Sequence, residues 1–330
     1  GRSRLAARWG LRWGFAALSP AMIARATVGR AVAVSGRPSG LRRIGSSAAA
    51  AQSLKTPMPA VPGRVLVVTS GKGGVGKTTC AASMAWALGK MGHRTCAVDF
   101  DIGLRNLDLH LGAERRVIFD FVNVINGECN LNQALIKDRH NPNLFLLAAS
   151  QTRDKDVLTV EGVQRVLDDL KQQFEYIVLD SPAGIEAGAR HAMYFADDAV
   201  ITVNPELSSC RDSDKMIGFI ASRSKRSEEG LEPVRQMLLI NRYDASRVES
   251  QEMLQLDDIQ ELLGLELIGV IPESKAVLTA TNLGQPVVSL SEEPAAQAFE
   301  DTVARFLGED RPLRFIEPPK KDFFSSLFGR

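Results

Sequence analysis

The chain has 330 residues, 45% of them hydrophobic and 24% charged, so it is long enough to bury a full core without disulfide staples. Its formal balance of +1 hides an asymmetry: residues 1–64 hold ten Arg, one Lys and no Asp or Glu, and the other 266 residues carry 29 basic against 39 acidic side chains. An acidic body argues against a nucleic-acid groove driven by net charge, and the lack of any run of ~20 apolar residues excludes a multi-pass membrane protein. Cys80, Cys96, Cys129 and Cys210 form no C-x-x-C pair, and His93, His110, His140 and His191 are scattered. Reduced thiols are expected, and no Cys/His metal centre.

Residues 1–62 read as an organelle transit peptide followed by linker. They are rich in Arg, Ala, Ser and Gly and free of acids. Arg4, Arg8 and Arg12 recur at helical spacing with Leu5, Trp9, Leu11, Trp13 and Phe15 between them, as in an amphipathic import helix. Composition alone separates plastid from mitochondrion poorly. The fold is therefore expected over residues 63–312, with a linker and tail over 313–330.

Strands and helices alternate through that body. Arg64 to Thr69 predicts a strand, Lys77 to Met91 a helix, Thr95 to Phe100 a strand and Ile118 to Val124 a helix. Leu144 to Ala148 reads as strand, Val160 to Gln173 as helix, Tyr176 to Leu179 as a strand ending at Asp180, and Ala199 to Val203 as strand. Ser213 to Ser222 is helical, Met237 to Ile240 strand, Met253 to Leu263 helix, Leu267 to Ile271 strand, and Ala295 to Leu307 a closing helix. Nearly continuous apolar strands alternating with helices predict an α/β fold: one mostly parallel, doubly wound sheet with helices on both faces.

After the first strand comes Ser70-Gly71-Lys72-Gly73-Gly74-Val75-Gly76-Lys77-Thr78-Thr79, which satisfies G-x-x-x-x-G-K-[ST]. Glycines let backbone N–H groups curl around phosphate oxygens, and the following helix points its positive end at the same anion. The loop from Gly71 to Thr79 is thus a candidate P-loop NTPase site. In it Lys77 would supply a charge to the β- and γ-phosphates and the Thr78 hydroxyl would ligate Mg²⁺. Asp99 and Asp101 end the second strand and Asp180 another, and ligands of parallel sheets sit at the carboxyl ends of strands. Asp180 suits the Mg²⁺ shell, Asp101 the attacking water, and Asp99 the metal or a switch hydrogen bond. Each is also compatible with an ordinary turn or cap. Gly184 would free the backbone near the γ-phosphate or simply make a turn. Asn241, after the strand ending at Ile240, would read the base or close a turn. Asn241-Arg242-Tyr243-Asp244 approaches the guanine-reading N-K-x-D pattern without its lysine.

Lys72, a second lysine inside the loop, gives K-G-G-x-x-G-K-T and resembles the deviant Walker A motif. Beyond the loop, VDFDIGLRNLDL, FDFVNVING, LNQALIKD, ASQTRDKDVLT, LDSPAGIE, RDSDK, GVIPES and RFIE run through nearly the whole body. With them the chain resembles the MinD family of division-site-placement ATPases, within the wider group that includes partition ATPases and iron–sulfur scaffold ATPases. The resemblance implies ATP and Mg²⁺ as cofactors and an ATP-dependent homodimer in which Lys72 reaches the partner's nucleotide. Lys77 becomes the phosphate lysine, Thr78 the Mg²⁺ ligand, Asp101 the water-positioning residue and Asp180 the switch aspartate. Arg211, Asp212 and Asp214 fall in a region such families use at the dimer surface. A MinE-like activator and a regulator of the tubulin-like FtsZ ring are the implied partners. With a transit peptide in front, the implied place is the plastid stroma and inner envelope, with the mitochondrion as alternative.

The last residues support a membrane role independently. Drawn as a helix, Phe323, Phe324, Leu327 and Phe328 fall on one face. Burying each is worth ~1.5–3 kcal/mol, and ordering the segment costs ~1–2 kcal/mol per residue. One tail is then marginal on an anionic membrane surface, while two on a dimer gain avidity of about 10²–10⁴-fold. Lys320, Lys321 and Arg330 against Asp322 make the tail less basic than is usual in the family. Packing on its own domain is the tail's other option. A DNA-partition ATPase would want a basic surface and no apolar tail, and an iron–sulfur assembly ATPase paired cysteines at its dimer axis. No nucleic-acid partner is expected.

Overall fold

The computed structural model describes residues 62–153 and 157–318. The segment predicted to direct import, save residue 62, the charged run at 154–156 and the predicted apolar tail face of Phe323, Phe324, Leu327 and Phe328 lie outside the described residues. Eight strands form one sheet: β1 Arg64–Thr69, β2 Thr95–Asp99, β3 Ile136–Lys137, β4 Leu144–Leu147, β5 Tyr176–Asp180, β6 Asp198–Val203, β7 Arg235–Tyr243 and β8 Glu266–Pro272. Their order is β3-β4-β2-β5-β1-β6-β7-β8. Every pairing is parallel except that of the two-residue edge strand β3 with β4.

The sheet is doubly wound, and β1 shows why. Its alternate residues feed two separate cores. Val65 and Val67 pack with Phe121, Val163, Leu170, Ala192 and Ile220 on one side. Leu66 and Val68 pack with Met84, Leu88, Leu107, Phe299 and Val303 on the other. A strand covered on both faces has no polar side, so β1, β2 and β6 read as nearly continuous apolar runs with a polar residue at one or both ends. The helix Lys77–Lys90 has Ala81, Ala82, Ala85 and Ala87 buried, and these small side chains bring it close to the sheet and to the helix Pro294–Phe306. Gly269 does the same on β8: a Cβ there would overlap Thr302 Oγ1, which donates to the Ala298 carbonyl at 2.7 Å.

The elements largely follow the pattern, with shifts of a few residues and some additions. The segment predicted helical from Ile118 begins its helix only at Phe121, because Asp120 caps it and accepts from the Asn123 N–H. The helix predicted over 213–222 runs over Leu207–Arg223, six residues earlier at its start. The one predicted from Met253 begins at Leu256. Helices at Ala187–Tyr194 and Lys275–Asn282 had no prediction. Strand β7 continues to Tyr243, so Asn241 lies inside the strand instead of after it. The four cysteines are free thiols. No helix among the described residues is long and apolar enough to cross a membrane.

After the helix Pro294–Phe306 the chain turns back along it as a strap. Arg314 bonds Asp301 at 2.6 Å and Gln297 at 2.9 Å, and the Tyr243 hydroxyl donates to the Ile316 carbonyl at 3.3 Å. The strap therefore ends beside the carboxyl end of β7.

Gly269→Ala should lower stability by ~1–3 kcal/mol through overpacking, read as a shift of the urea midpoint at constant slope. Gly218→Ala, where an added Cβ meets open space on an exposed helix turn, should instead stabilise by about 0.5–1 kcal/mol.

Candidate nucleotide site

The predicted loop joins the carboxyl end of β1, at the centre of the sheet, to the helix Lys77–Lys90. Gly76 is the residue before that helix, with φ 96° and no side-chain cap, so the first N–H groups of the helix are left for a ligand. Gly74 also has a left-handed φ of 79°. A Cβ at Gly73 or Gly74 would meet nothing within 4 Å, so their backbone faces the open cavity.

Two other glycines serve close approach. A Cβ on Gly76 would lie 2.5 Å from the Asn241 amide nitrogen, and one on Gly71 would overlap the Asp212 backbone. The Asn241 amide donates to the Val75 carbonyl at 2.7 Å, tying β7 to the loop. Opposite, the Gly71 N–H reaches the Ser213 hydroxyl at 3.4 Å. The loop is thus held between β7 and the helix Leu207–Arg223 before any ligand arrives.

The charges sit at the ends of β1, β2 and β5. Lys77 is buried, its ammonium donating to the Ser70 hydroxyl at 3.0 Å. Burial lowers its pKa, and Asp180 and Asp101 oppose that shift. Asp180 is buried and bonded by the Thr78 side chain, and its Oδ1 has no hydrogen-bond partner. Its pKa is raised by burial first and by Asp99 next. Asp99 and Asp180 are register partners across β2 and β5.

Both Asp99 oxygens are already used: Oδ1 accepts from the Asp101 N–H at 2.9 Å, and Oδ2 from those of Asn106 and Leu107 at 3.1 Å each. Asp99 is thus held by backbone N–H groups of the following loop, whereas Asp180 Oδ1 has no hydrogen-bond partner. Burial pushes the Asp99 carboxyl up to about 7.

Two contiguous cavities open here. The first, about 550 Å³, is lined by Gly73, Gly74, Lys77, Thr78, Asp101 and Ser181 among others. The second, about 340 Å³, is lined by Asn241, Pro272, Glu273, Ser274, Leu278 and Phe299 among others. Gly76, Thr79, His110 and Arg242 line both. The first has the donors and size for phosphates. The second, more hydrophobic, has the Asn241 side chain in its wall and suits a base. The four shared residues mark where the joining sugar and α-phosphate would pass. Gly184, at φ 76°, donates its N–H to the Ser70 carbonyl at 3.1 Å and ties the Ser181–Glu186 turn to the phosphate loop. Lys72 leaves the cavity: its ammonium bonds Glu206 at 2.9 Å and Ser208 at 3.2 Å, at the start of the helix that carries Arg211, Asp212 and Asp214.

Sequence reasoning missed His110, Arg242 and the Pro272–Ser274 wall. Arg242 adopts φ 57°, a left-handed conformation rare for a side chain of its kind and typical of functional sites. Such strain leaves no mark in a sequence. The Pro272–Ser274 stretch was visible only as part of GVIPES, without a role.

A buried lysine under a glycine cradle, a hydroxyl–carboxylate pair beside it and an apolar annex define a P-loop nucleotide-binding protein. The CobQ/CobB/MinD/ParA nucleotide-binding domain matches residues 66–287. The chain is 58% identical over 267 residues to the septum site-determining protein MinD of Escherichia coli K12, covering 81% of this chain and 99% of that one. The MinD of Neisseria meningitidis serogroup B is 55% identical over 269 residues, with the same coverage of 81% and 99%. Among solved structures, the MinC:MinD cell division protein complex of Aquifex aeolicus superposes with a TM-score of 0.68 at 40% identity, covering 76% of this chain and 98% of that one. MinD complexed with Mg-ADP from Pyrococcus horikoshii gives 0.65 at 30% identity, covering 74% and 95%. The chain belongs to the MinD family.

Gly76→Ala combines a disallowed φ with a clash against Asn241, a strain of about 1–3 kcal/mol, and should weaken binding of fluorescent ADP by about tenfold or more. The Asp99 carboxyl should titrate with a midpoint near 7 in carboxyl-detected NMR of the nucleotide-free chain. Because that value lies above the ordinary 3.8, the folded chain keeps a proton that the unfolded chain has released. This group's contribution to stability therefore declines as pH rises from about 4 through 7. A cation placed beside Asp180 should move the midpoint down.

Proposed function

We propose that the chain is a Mg²⁺-dependent ATPase whose nucleotide-gated homodimer binds an anionic membrane through its C-terminal segment and places a division site. The observation that carries this reading is the preformed cradle: buried Lys77 beneath open glycine backbone, with Asp180 Oδ1 buried and without a partner next to the Thr78 hydroxyl. That donor set fits a nucleotide polyphosphate with its magnesium. Thr78 and Asp180 would hold the ion, which supplies charge neutralisation on the β- and γ-phosphate oxygens.

The side chains take the following parts. Lys77 holds the terminal phosphates. Asp101, on the wall of the phosphate cavity, orients the attacking water. Asn241 holds the loop and faces the base. Lys72 exchanges Glu206 for the nucleotide of a second copy. The Lys72–Glu206 pair is half exposed on both sides, so it is worth only ~0–1 kcal/mol and is readily given up.

Family membership supports a division role, and the Aquifex MinC:MinD complex supports a division-inhibitor partner of the MinC type. A MinE-like activator, the FtsZ ring as downstream target, and a plastid as the compartment complete the reading. The acid-free residues 1–62 would direct import. The strap of residues 311–318 reaches the carboxyl end of β7, the strand that walls the base cavity.

Liposome co-sedimentation of residues 63–330 with ATP, ADP and GTP, beside a form ending at Pro319, tests the reading. Pelleting with ATP alone, lost on truncation and lost in Lys72→Ala, is the expected result. Equal pelleting in every nucleotide state would leave an anchor without a switch. Hydrolysis of ATP with no pelleting would move the protein to a soluble partition or assembly role.

A further inference from the structure

We propose that His110 is a positioning residue that transmits occupancy of the nucleotide site to Asp101 through an unbroken hydrogen-bond relay. The proposal rests on the nucleotide-site reading above and goes beyond it by assigning a residue that neither the phosphate motif nor the strand-end carboxylates include. The relay has four links. The Thr79 hydroxyl lies 3.2 Å from His110 Nε2. His110 Nδ1 lies 3.0 Å from the Asn106 carbonyl. The Leu107 N–H, in the same peptide group as the Asn106 carbonyl, donates to Asp99 Oδ2 at 3.1 Å, and Asp99 Oδ1 accepts from the Asp101 N–H at 2.9 Å.

The chemistry fixes the direction of each bond. A carbonyl oxygen only accepts, so Nδ1 carries the ring proton. Burial lowers the pKa of His110 and favours the neutral ring, so Nε2 is left as an acceptor for the Thr79 hydroxyl. Thr79 is the third residue of the helix that opens on the phosphate cavity, and it lines both cavities. His110 and Asp101 line the phosphate cavity together. The Thr79 hydroxyl gives its one proton to Nε2, so a ligand group that donates to the Thr79 oxygen strengthens that bond and tightens the hold on the imidazole. The imidazole is bonded to the Asn106 carbonyl, and the N–H of that same peptide group, that of Leu107, shares the Asp99 carboxylate with the backbone of Asp101. No packed apolar route is needed: the hydroxyl, the imidazole and the peptide group each offer one donor and one acceptor, and the Asp99 carboxyl joins the two backbone segments by accepting from both.

A histidine in this place has a bland alternative, namely that it only fills space between the helix Lys77–Lys90 and the segment Leu107–His110. The two differ in what replaces it. Leucine fills the space and breaks both bonds. Glutamine offers one acceptor and one donor on a single planar group and can keep both.

The test measures backbone amide exchange over residues 101–107 of the full chain, with and without Mg-ADP, in the wild type, His110→Leu and His110→Gln. Wild-type exchange should slow by about fivefold or more on adding Mg-ADP. His110→Leu should bind Mg-ADP and yet lose that slowing, with ATP turnover down about tenfold or more at little change in KM. His110→Gln should restore both. If His110→Leu keeps the nucleotide-dependent slowing and the turnover, or if glutamine fails exactly as leucine does, the relay is overturned. A wild-type chain that binds no Mg-ADP overturns the site reading and the relay with it. A wild type that binds Mg-ADP without any slowing over residues 101–107 overturns the relay alone. Thermal melts of the three proteins separate these outcomes from misfolding: a Leu variant that unfolds early leaves the Gln variant and the wild-type response to decide.

Discussion

Two carboxylates and one ammonium are buried side by side at the ends of β1, β2 and β5, and the rest of the site follows from that imbalance. Asp99 is fully buried, Asp180 nearly so, and Lys77 is 8% exposed. A buried charge is tolerated only when it is paired and hydrogen-bonded. Asp99 meets the condition with three backbone N–H groups and a raised pKa. Lys77 meets it with a hydroxyl and the field of Asp180. Asp180 meets it only in part, because Oδ1 is left over. One lysine for two acids leaves the pocket short of positive charge, and a divalent cation arriving with its phosphates would correct the deficit. The same cation would favour the ionised form of both carboxyls, so binding and proton release are linked.

The phosphate loop is held rigid from outside the motif. Its two close approaches, at Gly71 against Asp212 and at Gly76 against Asn241, fall on opposite flanks. Each works only because a glycine carries no Cβ, so the glycines of the motif divide into two kinds. Gly73 and Gly74 face the open cavity, while Gly71 and Gly76 face the protein. Preorganisation of this sort means that the N–H groups need not be gathered when a phosphate arrives, and the entropy of ordering them is settled during folding.

Much of this was legible in the sequence, for identifiable reasons. Strands buried on both faces announce themselves as apolar runs, and seven of the eight were found that way. The missed one, β3, has two residues and sits at an antiparallel edge, too short for any pattern. The phosphate loop was legible because its chemistry forces glycine and lysine at fixed spacing. The carboxylates were legible because parallel strands end at the ligand. The helix Ala187–Tyr194 was not, since small residues carry it and its hydrophobic stripe is weak. Asn241 was located but its structural duty was hidden: nothing local signals a bond to Val75, which lies 166 positions earlier. His110 was invisible for the same reason, since its partners Thr79 and Asn106 mean nothing until the helix and the loop after β2 are placed together.

The contacts around the site sort by exposure, and that sorting says what can move. Those inside (Lys77 on Ser70, Asn241 on Val75, Asp99 on the loop after β2) are short, buried and mutually supporting, so breaking one leaves a desolvated group behind. Those at the rim are different. Lys72 on Glu206 is half exposed, and water can replace either partner at almost no loss. Leu104, Ile185 and Leu207 stand exposed near the same rim, on the segments that carry Asp101, Gly184 and the start of the Lys72-binding helix. A fold that keeps its cradle rigid and its rim exchangeable can bind a nucleotide without rearranging and still present a different surface afterwards. The most exchangeable contacts of the site are those of the turn after Asp180, the loop after Asp99 and the Lys72 side chain. All three project from the same carboxyl edge of the sheet, on the side where a second molecule would have to meet the first for Lys72 to find a new partner.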